Sequence, residues 1–318
     1  MAKKRRRKKG IRKSPIIITI LLLLAVSAFL LFNYGEEWFG ISFFEADNTG
    51  DTNTQPGDEV RFHFIDVGQG DAILITTKDG NMLIDSGDLS SDSQKKLDNY
   101  LKSQNIKSFE YVVFTHTDAD HIGSADIVVS NYEVKTVIMP DYQATTKVFG
   151  RLVDAIEDKD VDLILIGEDD DCEKPGYSFK LGPVTHTVMA PTEDFDDANE
   201  MSVVIKSVYG ETSVLLTGDA EIKSEKAMIA KYKNGELDID ILKAGHHGSS
   251  SSSSHSFLTA TTPDLVIISC GEGNKYGHPH EVVMDRFTKA EIEIFRTDLD
   301  GTVVVKTDGV SYTVETQK

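Results

Sequence analysis

The chain has 318 residues, 40% hydrophobic and 27% charged, enough apolar material for one large α/β domain with its own core, which excludes a disordered chain. Its two cysteines, Cys172 and Cys270, lack CxxC spacing, so neither a disulfide framework nor a thiolate zinc site is indicated, and two buried thiols are the simpler reading. The formal charge is −19 and nine of the 33 basic residues precede the first acid; the remainder is strongly acidic, which counts against tight nonspecific binding to polyanions.

Residues 1–14 carry the basic block Lys3 to Lys9 with Arg12 and Lys13. Pro15 to Phe32 follows as eighteen residues without a charge, at the short end of what crosses a bilayer as a helix. The positive-inside rule then predicts a transmembrane anchor over residues 15–33, with a cytoplasmic N-terminus and an extracytoplasmic domain at the cell membrane. A cleaved signal peptide is the competing reading, but its cleavage-like AVSA (Ala25 to Ala28) lies inside the apolar run, ahead of Phe29 to Phe32, so the uncleaved anchor is preferred. Residues 34–59 read as a linker, because Glu45 to Glu59 is polar and has no apolar period.

The domain, residues 60–318, opens with three short β-rich runs, VRFHFIDV, AILITT and NMLIDS, each bounded by Gly or Asp. A helix over Ser91 to Ser103, the strand FEYVVFTH, a short helix after His121, the strand KTVIMP, a helix near Lys147 to Asp158 and the strand VDLILIG come next. The second half has SVVIKSVYG and TSVLLTGD as paired strands and a helix over Glu221 to Lys233. It continues with strand DIDILKAG, a helix near Ser256, strand DLVIISCG, a helix from Glu281 and a closing hairpin, TVVVKTDGVSYTV. Two β-rich halves with intervening helices predict two packed sheets covered by helices. The six-serine tract Ser249 to Ser254 reads as a flexible loop.

The chemistry concentrates at strand ends. His116-Thr117-Asp118-Ala119-Asp120-His121 puts two imidazoles and two carboxylates within six residues, a set that desolvates badly unless a divalent cation sits between them. The alternative, a solvated turn with Asp118 or Asp120 capping a helix, leaves both histidines unexplained. Lys243-Ala244-Gly245-His246-His247-Gly248 follows the strand DIDIL, and Asp219 ends the strand LLTGD, where a cap for the next helix is the plainer explanation of an isolated acid.

Together these motifs resemble the metallo-β-lactamase superfamily: Asp85 after an early strand, a variant HxHxDH motif at His116 to His121, a bridging Asp219 and a late His246. Asp66 to Ala72 (DVGQGDA), Asn199 with Ser202, HHGS and Asn274 to Pro279 (NKYGHP) are similar to the hydrolase domain of ComEC-type competence proteins, over about Val60 to Thr316. The resemblance implies a four-layer αββα sandwich and two divalent metal ions. His116, Asp118 and Asp219 would hold one; Asp120, His121, Asp219 and His246 the other. Asp118 replaces the superfamily's second motif histidine, and His186, the sole candidate for its isolated histidine, lies mid-strand and reads as structural. The oxygen-rich first site suits Mn²⁺ or Mg²⁺, and Zn²⁺ stays open.

Asp120 is expected to orient the attacking hydroxide and Asp85 to orient ligands from behind. His278 would protonate the leaving oxygen or bind a phosphate. Asp71, Lys243, His247, Asn274 and Tyr276 are candidate substrate-binding residues, with Gln69 at the cleft rim; His247 and His280 read as neighbours rather than ligands, His63 as structural and His255 as exposed. The leading function is an extracytoplasmic phosphodiesterase or DNA nuclease, related to competence-type DNA processing and served by a membrane channel partner. Small-ester or lactone hydrolysis, and a non-enzymatic metal-clasped binding protein, are the alternatives.

Overall fold

The computed structural model describes residues 58–318 apart from 168, 170 and 171. The basic segment, the anchor over residues 15–33 and nearly all of the linker lie outside the described residues. Among the described residues no helix is long and apolar enough to cross a membrane.

The first half runs β1 (Val60–Phe64), β2 (Ile73–Thr77), β3 (Gly80–Ile84), α1 (Ser91–Ser103), β4 (Ser108–Val113), α2 (Ala125–Asn131), β5 (Glu133–Pro140), α3 (Lys147–Lys159) and β6 (Asp162–Ile166). The second half runs β7 (Ser178–Leu181), β8 (Val184–Ala190), β9 (Val204–Tyr209), β10 (Thr212–Leu216), α4 (Ile222–Lys231), β11 (Ile241–Lys243), α5 (His255–Thr261), β12 (Leu265–Ile268), α6 (Glu281–Lys289) and β13 (Glu293–Arg296). A short α7 (Thr297–Asp300) and the hairpin β14 (Val303–Thr307) and β15 (Tyr312–Thr316) close the chain. One sheet has the order β15-β14-β1-β2-β3-β4-β5-β6 and the other β13-β12-β11-β10-β9-β8-β7.

The two-residue period of the strands sorts side chains into layers. Met82 and Ile84 of β3 face the second sheet, where they join Phe62, Ile75, Val188, Ile205, Val214 and Ile241 in a core between the sheets. Leu83, between them, turns the other way and packs with Leu74 and Val112 under Leu97 and Leu101 of α1, Val128 of α2 and Leu152 of α3. On the second sheet, Leu215, Leu242 and Val266 lie under Met228 of α4, Phe257 of α5 and Phe287 of α6. The result is a helix–sheet–sheet–helix sandwich. Ser90 and Thr146 start α1 and α3 by accepting from the backbone N–H groups of Ser93 and Phe149.

Two features depart from the sequence reading. The strands β7 and β13 were not anticipated; both are edge strands of four residues, and β13 (EIFR) spends two of its four positions on charges, which hides the apolar period. The serine tract is built into the fold: Ser252 Oγ donates to Gly245 O (2.6 Å), Ser254 caps α5, and Arg286 donates to the carbonyls of Ser252 and Ser253. Both cysteines are buried, in line with the sequence reading.

His186 lies in β8, fully buried, with Nδ1 2.8 Å from Ser207 Oγ and its ring stacked on Phe179. None of these partners belongs to the histidine and aspartate motifs. Burial holds its pKa down at about 3, against 6.5 for the free imidazole. The unfolded chain therefore binds one more proton than the folded chain between those values, and the stability tied to His186 is lost as pH falls through that window, by roughly 1.4 kcal/mol per pH unit. His186→Phe should flatten the fall of Tm between pH 6.5 and 4 and leave bound metal unchanged; an unaltered slope, or loss of metal, contradicts this placement.

Candidate metal centre

The site forms where the C-terminal ends of strands from both sheets meet. β3 and β4 are parallel neighbours in one sheet, β10, β11 and β12 in the other. The residues following β3, β4, β10, β11 and β12 are Asp85, His116 to His121, Asp219, His246 with His247, and Ser269. This is the edge at which open α/β sheets place their ligands.

Asp219 sits at the centre. Its Oδ1 lies 3.2 Å from His121 Nε2, and its Oδ2 lies 3.5 Å from His246 Nε2, 3.5 Å from His247 Nε2 and 4.0 Å from His116 Nε2. Four imidazoles therefore turn the same nitrogen toward one buried carboxylate. Each has its other nitrogen engaged behind. His247 Nδ1 donates to the Ser269 carbonyl (2.9 Å), His246 Nδ1 to Glu221 Oε1 (2.8 Å) and His121 Nδ1 to Asp85 Oδ2 (2.8 Å). Thr115 Oγ1 donates to Asp85 Oδ2 (2.7 Å) and so accepts from His116 Nδ1 (3.1 Å).

This pattern favours the Nδ1–H tautomer at each ring. With each Nδ1 carrying the proton, a neutral ring points its Nε2 lone pair at an anion, and that arrangement is repulsive unless a metal ion lies between them or the ring takes up a second proton. His116 Nε2 and Asp219 Oδ1 are buried with no hydrogen-bond partner, each an orphan costing about 1–3 kcal/mol. Protonating all four rings is no remedy, since His116 and His121 have ring centroids 4.1 Å apart and His121 and His247 5.1 Å. Divalent ions satisfy these lone pairs, so the residues fit a metal centre. Asp71, His121, Asp219 and His247 bring four ligand atoms within 4.8 Å of one another, Asp71 from the Nδ1 side of the rings, 3.4 Å from His247 Nδ1.

The electrostatics carry the same demand for positive charge. Burial works to lower the His247 pKa, yet Asp219, Asp71 and Asp120 push it up to about 10. Burial is likewise overcome at His121, which Asp219 and Asp85 carry well above its ordinary value. Burial and the neighbouring His121 hold His116 down at about 3. Burial favours the neutral form of Asp219, but His121 and His247 pull its pKa well below the usual carboxylate range.

The six ligands expected from sequence all gather here. Asp120 Oδ2 lies 3.4 Å from His247 Nε2, and the exposed Asp118 lies 4.0 Å from His116 Nε2. Helix capping does not explain these acids: α2 starts after Ser124 and α4 after Glu221. His247, read from sequence as a neighbour, has the same geometry as His246. Asp71 and Lys243 form a buried ion pair of 2.6 Å behind the cluster, rather than at its mouth. Asn274 spends its amide on its own loop, donating to Gly271 O and His278 O and accepting from the backbone N–H of His278. Tyr276 and His278 line a cavity of about 120 Å³ over the centre, with Gln69, Asp118, Asp120 and Asp219. His63 is buried against Tyr100 and Thr76, His255 is exposed, and His280 accepts from the backbone N–H of Ser250.

Sequence reasoning missed Thr115, Glu221 and the carbonyl of Ser269. Glu221 follows Asp219 by two residues and is also held by Ser251 Oγ (2.6 Å), which links the serine tract to His246. Ser202 Oγ accepts from the Asp219 backbone N–H (3.2 Å), giving a task to one residue of the Asn199–Ser202 motif. The backbone carries part of the cost: Asp85, His246 and His247 have φ of 58°, 47° and 54°, a left-handed conformation costing about 1–3 kcal/mol per non-glycine residue. Two consecutive left-handed residues let both imidazoles reach one carboxylate. Gly218, at φ 50° just before Asp219, packs against Thr115 where a Cβ has no room.

Asp219→Ala should abolish tight divalent-ion binding by elemental analysis of the purified protein while far-ultraviolet circular dichroism is preserved. Asp85→Asn, which keeps the shape but weakens the acceptor behind His121, should reduce metal affinity by roughly 10–100-fold in a chelator competition titration. Full metal content in Asp219→Ala would remove Asp219 from the centre.

Comparison with known proteins agrees with this geometry. Residues 65–272 match the metallo-β-lactamase superfamily. The chain is 29% identical over 255 residues to ComE operon protein 3 of Bacillus subtilis, covering 75% of this chain and 32% of that protein. It is 31% identical over 245 residues to Recombination protein 2 of Haemophilus influenzae, covering 76% and 28%. It thus spans about a third of the length of the curated relatives it matches, and these bear out the likeness to ComEC-type competence proteins. Among solved structures, Igni18, a metallo hydrolase from the archaeon Ignicoccus hospitalis, shares the fold with a TM-score of 0.50 at 16% identity, over 77% of this chain and 98% of that one. The chain belongs to the metallo-β-lactamase superfamily.

Proposed function

We propose that this chain is a membrane-anchored, extracytoplasmic metal-dependent phosphodiesterase that cleaves DNA beside a membrane channel partner. The observation that carries the hydrolase part is the convergence of four imidazole Nε2 atoms on Asp219. The DNA part draws support from relatives named for competence and recombination, including Competence protein ComA of Neisseria gonorrhoeae. The anchor rests on the uncharged run Pro15 to Phe32 and the basic block ahead of it.

His116, Asp118, Asp120, His121, Asp219, His246 and His247 would hold two divalent ions, with Asp219 shared. Mixed imidazole and carboxylate donors suit Mn²⁺ or Zn²⁺, and the exposed carboxylate of Asp118 also admits Mg²⁺. Bound there, such ions supply Lewis-acid charge and a water acidic enough to attack at neutral pH. The protein's own groups do the rest. Asp85, Glu221 and the Ser269 carbonyl hold the imidazoles in one tautomer. Asp120, kept ionised by His247 and His121 against the opposing effect of burial, orients the attacking water. Burial, with His247 and His246 beside it, lowers the His278 pKa to about 4, so at neutral pH its ring is uncharged and donates one N–H to a phosphoryl or leaving oxygen.

A panel of bis(p-nitrophenyl) phosphate, single-stranded DNA, phosphocholine, lactone and β-lactam substrates, each with Mn²⁺, Mg²⁺ and Zn²⁺, tests the reaction class. Phosphodiester cleavage supported by Mn²⁺ and lost in Asp120→Ala is expected, with little dependence on moderate monovalent salt because few Lys or Arg side chains neutralise phosphates. Lactone turnover well above phosphodiester turnover would replace the substrate class and leave the centre standing. Topology has its own test: a cysteine added after Lys318 should react with an impermeant maleimide on intact cells, and the protein should stay with membranes after a high-salt wash. Recovery of the domain in the medium would mean that the apolar run is cleaved.

A further inference from the structure

A cleft of about 450 Å³ opens beside the centre and shares Gln69, Asp120 and Tyr276 with the small cavity above it. One wall is the loop after β3, where Leu89 is 46% exposed; another is the loop after β12, where Tyr276 is 48% exposed. Leu89 and Tyr276 thus leave apolar and aromatic surface open to solvent along one cleft of a strongly acidic protein. The wall is also rigidly held. The Tyr276 ring stacks on His278 (centroids 5.6 Å apart, planes at 20°), its backbone N–H donates to Asn274 Oδ1, and Gln69 Oε1 accepts from the Gly271 N–H, tying this loop to the β1–β2 turn. Lys275 Nζ lies over the Tyr276 ring, 4.8 Å from its centroid, on a flexible side chain that must swing off the ring for a base to stack there.

We propose that this cleft is a nucleobase subsite, which takes the unpaired base next to the scissile phosphodiester and stacks it between Tyr276 and Leu89, with Lys275 reaching the adjoining backbone. The inference rests on the phosphodiesterase reading above and adds a substrate requirement: the base must be free of a duplex. Asp88 and Asp120 on the same walls disfavour a second phosphate inside the cleft, whereas an uncharged planar ring meets an aromatic face and a leucine. A base in a duplex is already stacked and paired and cannot enter, so single strands are selected without reading sequence.

The test separates the base from the phosphates. Fluorescence anisotropy on the full-length protein with Ca²⁺ compares a labelled tetrathymidylate, the same tetramer with abasic sugars, and a duplex closed as a stable hairpin. The tetrathymidylate should bind at least tenfold more tightly than the abasic strand or the duplex, within the range that aromatic–base stacking supplies. Tyr276→Ala should erase that preference, Leu89→Ala should reduce it, and Tyr276→Phe should retain it. In turnover, the ratio of kcat/KM for thymidine 5′-(p-nitrophenyl) phosphate to that for bis(p-nitrophenyl) phosphate should fall about tenfold in Tyr276→Ala. Equal binding of thymidylate and abasic strands by the wild type, or a preference that survives both alanine variants, overturns the subsite. Absence of all phosphodiester turnover alongside a Tyr276-dependent base preference would instead fault the catalytic reading and leave the subsite in place.

Discussion

The Asp219 carboxylate, facing four imidazole nitrogens at 3.2–4.0 Å, is the contact on which the rest of the site depends. With neutral rings it is unfavourable, because the Nδ1 atoms are committed to Asp85, Glu221, Thr115 and the Ser269 carbonyl, and the Nε2 lone pairs meet negative charge. The outer hydrogen bonds thus turn four adaptable rings into four fixed donors. The arrangement calls for positive charge, which raises the His121 and His247 pKa values, and the left-handed backbone at Asp85, His246 and His247 adds strain that metal binding must offset.

The sandwich makes this contact reachable. Asp85 and the His116–His121 turn come from one sheet, Asp219 and the His246–His247 pair from the other, so the core between the sheets fixes the distance between the two halves of the centre. Packing of Met82, Ile84 and Val113 against Val214, Leu216 and Ile241 is therefore part of the site's geometry. The buried Lys243–Asp71 pair lies behind the cluster at 2.6 Å and places a fixed positive charge among several acids. Removing either partner alone would strand the other charge in the interior, at a cost of about 3–5 kcal/mol.

Much of this was legible in the sequence because strand-end motifs are local. The HTDADH and HHGS runs deliver their side chains through turns a few residues long, and the strands ahead of them have clear apolar runs. What escaped is long-range or carried by the backbone. Nothing in the sequence separates the geometry of His247 from that of its neighbour, since two consecutive left-handed residues are needed for both to aim inward. Glu221 and Ser251 sit thirty residues apart and meet only through the fold, and the Ser269 carbonyl has no side-chain signature at all. Asp71 and Lys243 read in the sequence as substrate-binding residues; their mutual pairing is what lets them be buried. The edge strands β7 and β13 were hidden by their brevity and charge.

The most direct measurement is a long-range ¹H–¹⁵N correlation spectrum of the protein labelled in its histidines and titrated with Zn²⁺. His116, His121, His246 and His247 should each settle as the Nδ1–H tautomer, with the Nε2 resonance shifted on metal addition and insensitive to pH between 6 and 8, while His63 and His186 stay unmoved. Four rings that titrate freely and ignore the metal would contradict a metal centre built around Asp219.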